Sequence, residues 1–199
     1  MANVEKLRKN LEAHGFETSC FATGKEAADY LCSRLSGRTI GFGGSCTADE
    51  LDLYPRLSEN NKVIWHWKQG GQVRREASQA EVYITSANGV SETGELVNID
   101  GAGNRVAATL YGPEKVYFII GINKIEPTLE KAIERARNVA SPLNSKRLNM
   151  KTPCALSAEA CCYDCSSPDR ICSALVVHWR AMSGIPSTEV VIVEESLGY

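Results

Sequence analysis

The sequence lacks the features of membrane proteins, secreted proteins and nucleic-acid-binding proteins. Its longest apolar runs, residues 116–120 and 190–193, are far shorter than the roughly 18 residues that cross a bilayer. The opening MANVEKLRKN has no apolar segment of the secretory type. A net charge of −2 offers no basic surface for nucleic acid. These absences predict a cytoplasmic protein with no membrane span and no nucleic-acid partner.

The common catalytic signatures are also missing. The sequence contains neither an HExxH motif nor a Ser/His/Asp arrangement, and its few histidines, such as His14 and His66, are predicted to be structural. Gly41–Ser45 does not match the dinucleotide fingerprint, because Cys46 occupies the position of the third glycine. Catalysis by a charge triad is therefore unsupported.

The composition predicts a globular α/β domain. Hydrophobic residues make up 43% of the 199 residues, enough for a core and too many for a disordered chain. Strands alternating with helices predict a mainly parallel sheet flanked by helices, in one domain over residues 1–199. Helices are predicted to begin near Val4, Thr23, Thr47, Val73, Asn104 and Pro127, the last running to Ala140. Strands are predicted at residues 38–42, 62–67, 81–85, 95–99, 115–122, 173–180 and 189–194.

Two glycine-rich segments that follow predicted strands are candidate parts of a site. Small residues at Gly41–Ser45 would let backbone N–H groups face an anion, and the segment from Ser86 to Arg105 combines glycines with polar and charged residues. Both also fit turns that need glycine for geometry alone. Lys124 would add a cation at the same edge, although a lone lysine after a strand is commonly solvated. The predicted binding residues are Gly41, Gly43, Gly44, Ser45, Asn88, Thr93, Gly101, Gly103, Asn104, Arg105 and Lys124.

Cysteine is the one abundant and unusual residue. Of the eight cysteines, five lie between residues 154 and 172: Cys154, Cys161, Cys162, Cys165 and Cys172. Without an export signal, clustered thiols indicate metal binding rather than disulfides. The pattern Cys154-x7-Cys162-x2-Cys165-x6-Cys172 supplies four thiolates, which suit either an iron–sulfur cluster or tetrahedral zinc. Spacing alone does not choose between these metals.

Several segments resemble the lactate-utilisation (LUD) domain family. They are NGVSETGELVNIDGAGNRVA at 88–107, GINKI at 121–125, RNVASPLN at 137–144, KTPC at 151–154 and the Cys165-x2-Pro168-x-Arg170-x-Cys172 pattern. The resemblance covers nearly the whole chain. It implies a fold similar to ribose-5-phosphate isomerase, glucosamine-6-phosphate deaminase and the CoA transferases, with a C-terminal cysteine-rich loop (151–173) inserted before the last strands. Relatives with this fold bind anionic ligands at the carboxyl edge of the sheet.

The resemblance also implies roles for particular residues. Gly41–Ser45 and the 88–105 region would line one pocket, in which Arg105 and Lys124 hold an anion. Glu92 stands near the acidic catalytic groups of relatives, and Glu92 or Asp100 would move a proton. The family is associated with iron–sulfur-dependent oxidation of L-lactate to pyruvate by a multi-protein system. This chain lacks the CxxCxxCxxxC repeats of the larger subunit, and CxxC spacing favours Cys162 over Cys161 as a ligand.

The main functional hypothesis is therefore a redox protein that binds a small carboxylate or phosphate near a [4Fe–4S] cluster on Cys154, Cys162, Cys165 and Cys172. An iron–sulfur redox protein would be its partner. The alternative is a zinc-stapled binding module for a sugar phosphate or CoA-like ligand without redox activity. A third is an assembly subunit that only docks to an iron–sulfur partner. Trp65, Trp67 and Trp179 are compatible with a homodimer surface and equally with core packing.

Overall fold

The computed structural model describes residues 2–159 and 161–199, which form ten strands and ten α-helices. The strands are β1 Glu17–Phe21, β2 Thr39–Phe42, β3 Lys62–Trp65, β4 Val82–Thr85, β5 Gly89–Ser91, β6 Leu96–Asp100, β7 Lys115–Gly121, β8 Ile125–Glu126, β9 Ala174–His178 and β10 Ser187–Val193. The helices are α1 Val4–Ala13, α2 Gly24–Arg34, α3 Cys46–Glu50, α4 Leu53–Ser58, α5 His66–Gln69, α6 Arg74–Ser78, α7 Asn104–Leu110, α8 Leu129–Arg135, α9 Ser141–Arg147 and α10 Pro153–Leu156.

The main sheet has six strands, all parallel, in the order β1-β10-β7-β4-β2-β3. This confirms the predicted α/β fold. The apolar strand β7 lies near the middle, where its residues from Val116 onward are buried, because helices cover both faces. Two large apolar clusters cover the faces of this sheet, with Leu31 and Phe42 in the first and Leu11 and Phe118 in the second. A third, small cluster contains Val97.

A second sheet of four strands, in the order β8-β5-β6-β9, was not anticipated from the sequence. Its strand β6 pairs antiparallel with both β5 and β9, and Asp100 lies opposite Ala174. Because the cysteine-rich loop leads directly into β9, this pairing brings the end of the loop beside Asp100. The Ser173 N–H donates to the Asp100 carbonyl at 2.9 Å.

Several predicted elements differ from the structure. The edge strand β1 was missed, since none of its residues is fully buried and its first three, Glu17, Thr18 and Ser19, are polar. The strand predicted at 62–67 ends at Trp65, whose N–H donates to Gln69 Oε1 at 2.8 Å as the chain turns into α5. The helix predicted to end at Ala140 continues through a π-helical turn (136–140) into α9. Pro142 has no N–H to donate to the preceding turn, which explains the wider turn there.

The structure distinguishes the tryptophans that pack in the core from the one at the surface. Trp65 is fully buried and stacks on Phe42, Trp67 is partly buried against the same cluster, and Trp179 is 69% exposed. No helix in the described part of the chain combines the length and the apolar character that crossing a bilayer requires.

Replacing Leu31 by Ala is expected to lower the free energy of unfolding by about 2–5 kcal/mol, because Leu31 is fully buried in the first cluster. The matched control is Leu175→Ala, since Leu175 is 48% exposed. Its effect is expected to stay within about 0.5 kcal/mol. Urea denaturation followed by circular dichroism measures both, and equal losses in the two variants would contradict this core.

Candidate functional site

A cavity of about 380 Å³ opens at the carboxyl edge of the parallel sheet. Its wall begins with the residues that follow β2, β3, β4 and β7, which is where ligands bind in open parallel sheets. Residues from the second sheet, α9, the cysteine-rich loop and the tail complete it. The lining includes Gly44, Ser45, Cys46, His66, Trp67, Arg74, Ser86, Asn88, Asp100, Gly101, Asn104, Arg105, Lys124, Ser141, Asn144, Arg147, Arg170, Cys172 and Tyr199.

Eight of the residues predicted for catalysis or binding line this central cavity: Gly44, Ser45, Asn88, Asp100, Gly101, Asn104, Arg105 and Lys124. The others, Gly41, Gly43, Glu92, Thr93 and Gly103, are absent from its lining. Gly41 lies under α6, where an added Cβ would stand 1.9 Å from the Ala77 carbonyl oxygen. That glycine serves close packing of helix on sheet rather than ligand binding.

Glu92, predicted to be catalytic, lies in the turn between β5 and β6 and faces α1. Its carboxylate accepts from the Asn3 N–H at 2.8 Å and from Lys6 Nζ at 3.1 Å. The Asn3 N–H, followed by Lys6, lowers the pKa of the Glu92 carboxyl, although burial opposes this. The structure thus gives Glu92 the role of holding α1 against the hairpin, and Thr93 in the same turn binds Glu95.

Arg105 donates its hydrogen bonds to groups of the protein itself rather than leaving them free for an anion. We call this set of contacts the Arg105 bracket. Its Nε donates to Asp100 Oδ2 at 3.1 Å, and its two terminal nitrogens donate to the Ser86 and Ile99 carbonyls and to the side-chain oxygens of Asn88 and Asn98. A guanidinium has five N–H donors, so all of them are used. The other Asp100 oxygen accepts from the Gly103 N–H at 2.9 Å. Both Asp100 oxygens therefore accept a hydrogen bond, one from the Gly103 N–H and one from Arg105.

Lys124 lies at the bottom of the cavity and is only 2% exposed. Its Nζ donates to Thr47 Oγ1 and to Ser86 Oγ, both at 2.8 Å, and neither partner is a carboxylate. Burial, followed by the nearby charges of Arg135 and Arg105, lowers the pKa of Lys124 to about 7. The sequence placed this lysine at the right edge but did not predict that it is buried.

A second buried cation lies behind Lys124. Arg135 on α8 donates its Nε to the Asn123 carbonyl at 2.9 Å and one terminal nitrogen to the Asn88 carbonyl. These partners are neutral, and burial lowers the pKa of Arg135. Arg135, together with Lys124 in its protonated form, makes the cavity floor positive, and the hydrogen-bond partners of both side chains are neutral.

Sequence reasoning missed the opposite wall, which is built from distant segments. The Arg147 guanidinium stacks 4.4 Å from the centre of the Trp67 ring and donates from Nε to Tyr199 Oη at 2.9 Å. Asn144 Oδ1 accepts from both Arg147 and Tyr199. His66 also lines the cavity, and burial followed by the charge of Arg74 lowers its pKa.

The four predicted metal-ligating cysteines line one smaller cavity beside the first. Cys154, Cys162, Cys165 and Cys172 all contribute to it, together with Arg137 and Arg170. Cys172 and Ser141 line both cavities, so the two share a wall. Arg170 fixes this loop by donating to the Cys165 carbonyl at 2.6 Å and to the Cys172 carbonyl at 3.0 Å.

The π-helical turn positions the other side of the cysteine cavity. Asn138 Oδ1 accepts from the Cys162 N–H at 3.0 Å, and Cys162 Sγ accepts from the Asp164 N–H at 3.4 Å. Cys161 is not part of the lining, and its thiol interacts instead with the Tyr163 hydroxyl. This arrangement supports the preference for Cys162.

The donor set has the chemistry that a four-cysteine centre needs, since all eight cysteines are free and four of them share a cavity. Within residues 2–159 and 161–199, however, no three Cys, His, Asp or Glu side chains are close enough together to hold a metal ion. The four thiols thus line one cavity, but they are too far apart to bind a single metal ion together.

Comparison with known proteins identifies relatives. A family model for the LUD domain matches residues 4–193. The chain is similar to YkgG, an uncharacterized protein of Escherichia coli K12, with 29% identity over 126 residues, or 62% of this chain and 54% of YkgG. The chain thus spans about half the length of that relative. A DUF162 family protein from Deinococcus radiodurans has a similar fold, with a TM-score of 0.59 and 15% identity over 96% of this chain and 95% of that chain.

Replacing Arg105 by Lys is expected to lower the free energy of unfolding by about 2–4 kcal/mol, because an ammonium cannot reach five acceptors and leaves buried oxygens unpaired. Arg74→Lys is the control, since Arg74 lines the same cavity but is exposed. Thermal and urea unfolding measure both. An unchanged Arg105→Lys variant would show that the bracket contributes nothing.

Replacing Lys124 by Met is expected to change how stability depends on pH. Between pH 7 and about 10.5 the unfolded chain binds a proton on Lys124 that the folded chain does not, so stability rises with pH in that window. The contribution is about 1.4 kcal/mol per pH unit. Below pH 7 both states are protonated, and this contribution to the slope vanishes.

Urea unfolding at pH 7.5 and 9.5 measures the effect. The wild type is expected to gain about 2–3 kcal/mol more than Lys124→Met over this interval. Lys131→Met is the control, because Lys131 is 57% exposed and pairs with Glu134 at the surface. Identical pH dependence in wild type and Lys124→Met would mean that Lys124 titrates as it does in water.

Proposed function

The chain belongs to the LUD domain family, and we propose that it is an iron–sulfur redox protein of the lactate-utilisation type. In this proposal the central cavity binds a small anion, a carboxylate such as lactate or a phosphate, beside a [4Fe–4S] centre. The observation that carries the proposal is the shared wall of the two cavities: a positively charged floor on one side and four cysteines on the other.

The charges of the central cavity support an anionic ligand. Lys124 and Arg135 are buried beneath it without carboxylate hydrogen-bond partners, and Arg74, Arg147 and Arg170 line it. Asp100 is the only carboxylate among the described lining residues, and it is paired with Arg105. Burying cations without counter-ions costs free energy, and a bound anion would offset that cost.

The size and shape of the site suit a small ligand. A volume of about 380 Å³ lies near the lower end of the range for small-molecule pockets. Arg147 is held flat by Trp67 on one side and by Asn144 and Tyr199 at its edge, so little side-chain entropy remains to be lost on binding. Such a fixed guanidinium is suited to a planar carboxylate or a phosphate.

The cysteine cavity would hold the cluster through Cys154, Cys162, Cys165 and Cys172. When bound, such a cluster supplies one-electron transfer. Around the thiols, Arg137 and Arg170 supply positive charge, which the carboxylate of Asp164 offsets in part at 3.6 and 3.0 Å from them. The Asp164 N–H donates toward Cys162 Sγ. Ser141 and Cys172 would separate the anion from the cluster by a single layer of side chains.

The first experiment is metal analysis of protein purified without oxygen. About four irons and four sulfides per chain, with visible absorption, would support the cluster. A colourless protein with about one zinc would replace it by the zinc-stapled binding module. Calorimetry with L-lactate, pyruvate and inorganic phosphate then tests the anion site separately, and no binding of any of the three would contradict it.

Replacing Cys165 by Ser is expected to abolish the visible absorption and to reduce iron to below about half of the wild-type content, because three thiolates hold a cluster poorly. Cys161→Ser is the matched control, since Cys161 is adjacent but outside the cavity lining, and it is expected to keep full iron content. Loss of iron in Cys161→Ser with retention in Cys165→Ser would overturn the assignment of ligands.

A further inference from the structure

The central cavity has one amine within it. Lys124 is the only lysine among the described lining residues, and its Nζ is held at a fixed point by the hydroxyls of Thr47 and Ser86, both at 2.8 Å. These hydroxyls come from different elements, the first turn of α3 and the end of β4. The amine therefore has a defined position rather than the mobility of a surface lysine.

We propose that Lys124 forms a protonated imine with the carbonyl carbon of a small 2-oxo acid bound in the central cavity. This inference rests on the proposed function, because it assumes that the cavity accepts small carboxylates. It adds a covalent step and narrows the ligand class from anions in general to 2-oxo acids, of which pyruvate is the simplest probe.

The surroundings of Lys124 suit a reactive amine. A lysine that pairs with a carboxylate stays protonated and is not a nucleophile, but both hydrogen-bond partners of this Nζ are hydroxyls. A hydroxyl accepts from an ammonium and can turn to donate to a neutral amine, so Thr47 and Ser86 serve both protonation states. Burial and the charges of Arg135 and Arg105 favour the neutral state.

The other cations of the cavity suit the carboxylate of the same molecule. Arg147, fixed against Trp67, lines the wall made by α9, and Arg74 lines the wall near α6. Neither is needed to hold the amine. A 2-oxo acid could thus place its carboxylate toward a guanidinium and its carbonyl carbon toward Lys124.

The step balances without an added oxidant or reductant. The Lys124 nitrogen forms a bond to the carbonyl carbon, and one of its protons moves to the carbonyl oxygen. That oxygen takes a second proton from solvent and leaves as water, which gives a protonated imine. The product keeps the positive charge at the position of Nζ, next to the carboxylate of the bound acid.

Borohydride reduction in the presence of pyruvate tests the proposal. Reduction of the imine would attach to the chain the mass of pyruvic acid less one oxygen atom, and peptide mass spectrometry of the wild type would locate it at Lys124. L-lactate has a hydroxyl in place of the ketone, so it should give no adduct and should reduce labelling when added in excess. Lys124→Met, with its fold verified by circular dichroism, should lose the adduct, whereas the surface control Lys131→Met should keep it.

The outcomes separate this inference from the proposed function. Binding of pyruvate by calorimetry without any adduct, or adducts spread evenly over surface lysines, would overturn the imine and leave the anion site standing. Absence of both pyruvate binding and adduct would overturn the carboxylate site itself. Mapping of the adduct in the wild-type protein decides the question even where Lys124→Met does not fold.

Discussion

The site depends on a single side chain, Arg105, that ties the two sheets together. Its donors reach the Ser86 carbonyl after β4 of the main sheet, Asn88 before β5, and the Ile99 carbonyl and Asp100 carboxylate at the end of β6. Gly43 makes this possible, because a Cβ there would stand 2.8 Å from Arg105 Cγ. The central cavity lies between the two sheets that Arg105 connects.

The bracket explains the charge distribution around it. Because Asp100 pairs with Arg105, the positive charge of the cavity comes mainly from its other basic residues. These are the buried Arg135, Lys124 in its protonated form, and the lining residues Arg74, Arg147 and Arg170. Burying two cations beside neutral partners lowers the free energy of unfolding. Packing alone does not explain why basic side chains occupy these buried positions. A site that recognises an anion offers a physical reason for that cost.

Sequence patterns located the elements well where one physical signal dominated. The apolar strand β7 was placed nearly to the residue, and so was the start of helix α2, where Thr23 and Glu26 form a capping box. The site was predicted only in part, because its chemistry depends on long-range contacts. The residue pattern could not show that Arg105 is saturated, that Glu92 faces α1, or that Arg147 meets Trp67 across the cavity. His66 was taken for a strand residue because the turn into α5 depends on the Gln69 side chain.

The cysteine-rich loop illustrates how the second sheet links two sites. Gly101 allows the loop to pass directly over the end of β6, since a Cβ there would stand 2.6 Å from the Ile171 carbonyl oxygen. The Ser173 N–H then binds the Asp100 carbonyl, so the strand that carries Asp100 also fixes Cys172 one residue away. Because Arg105 binds the same Asp100, the bracket holds both the wall of the central cavity and the end of the cysteine loop. Asp100 is therefore a structural support that the two cavities share.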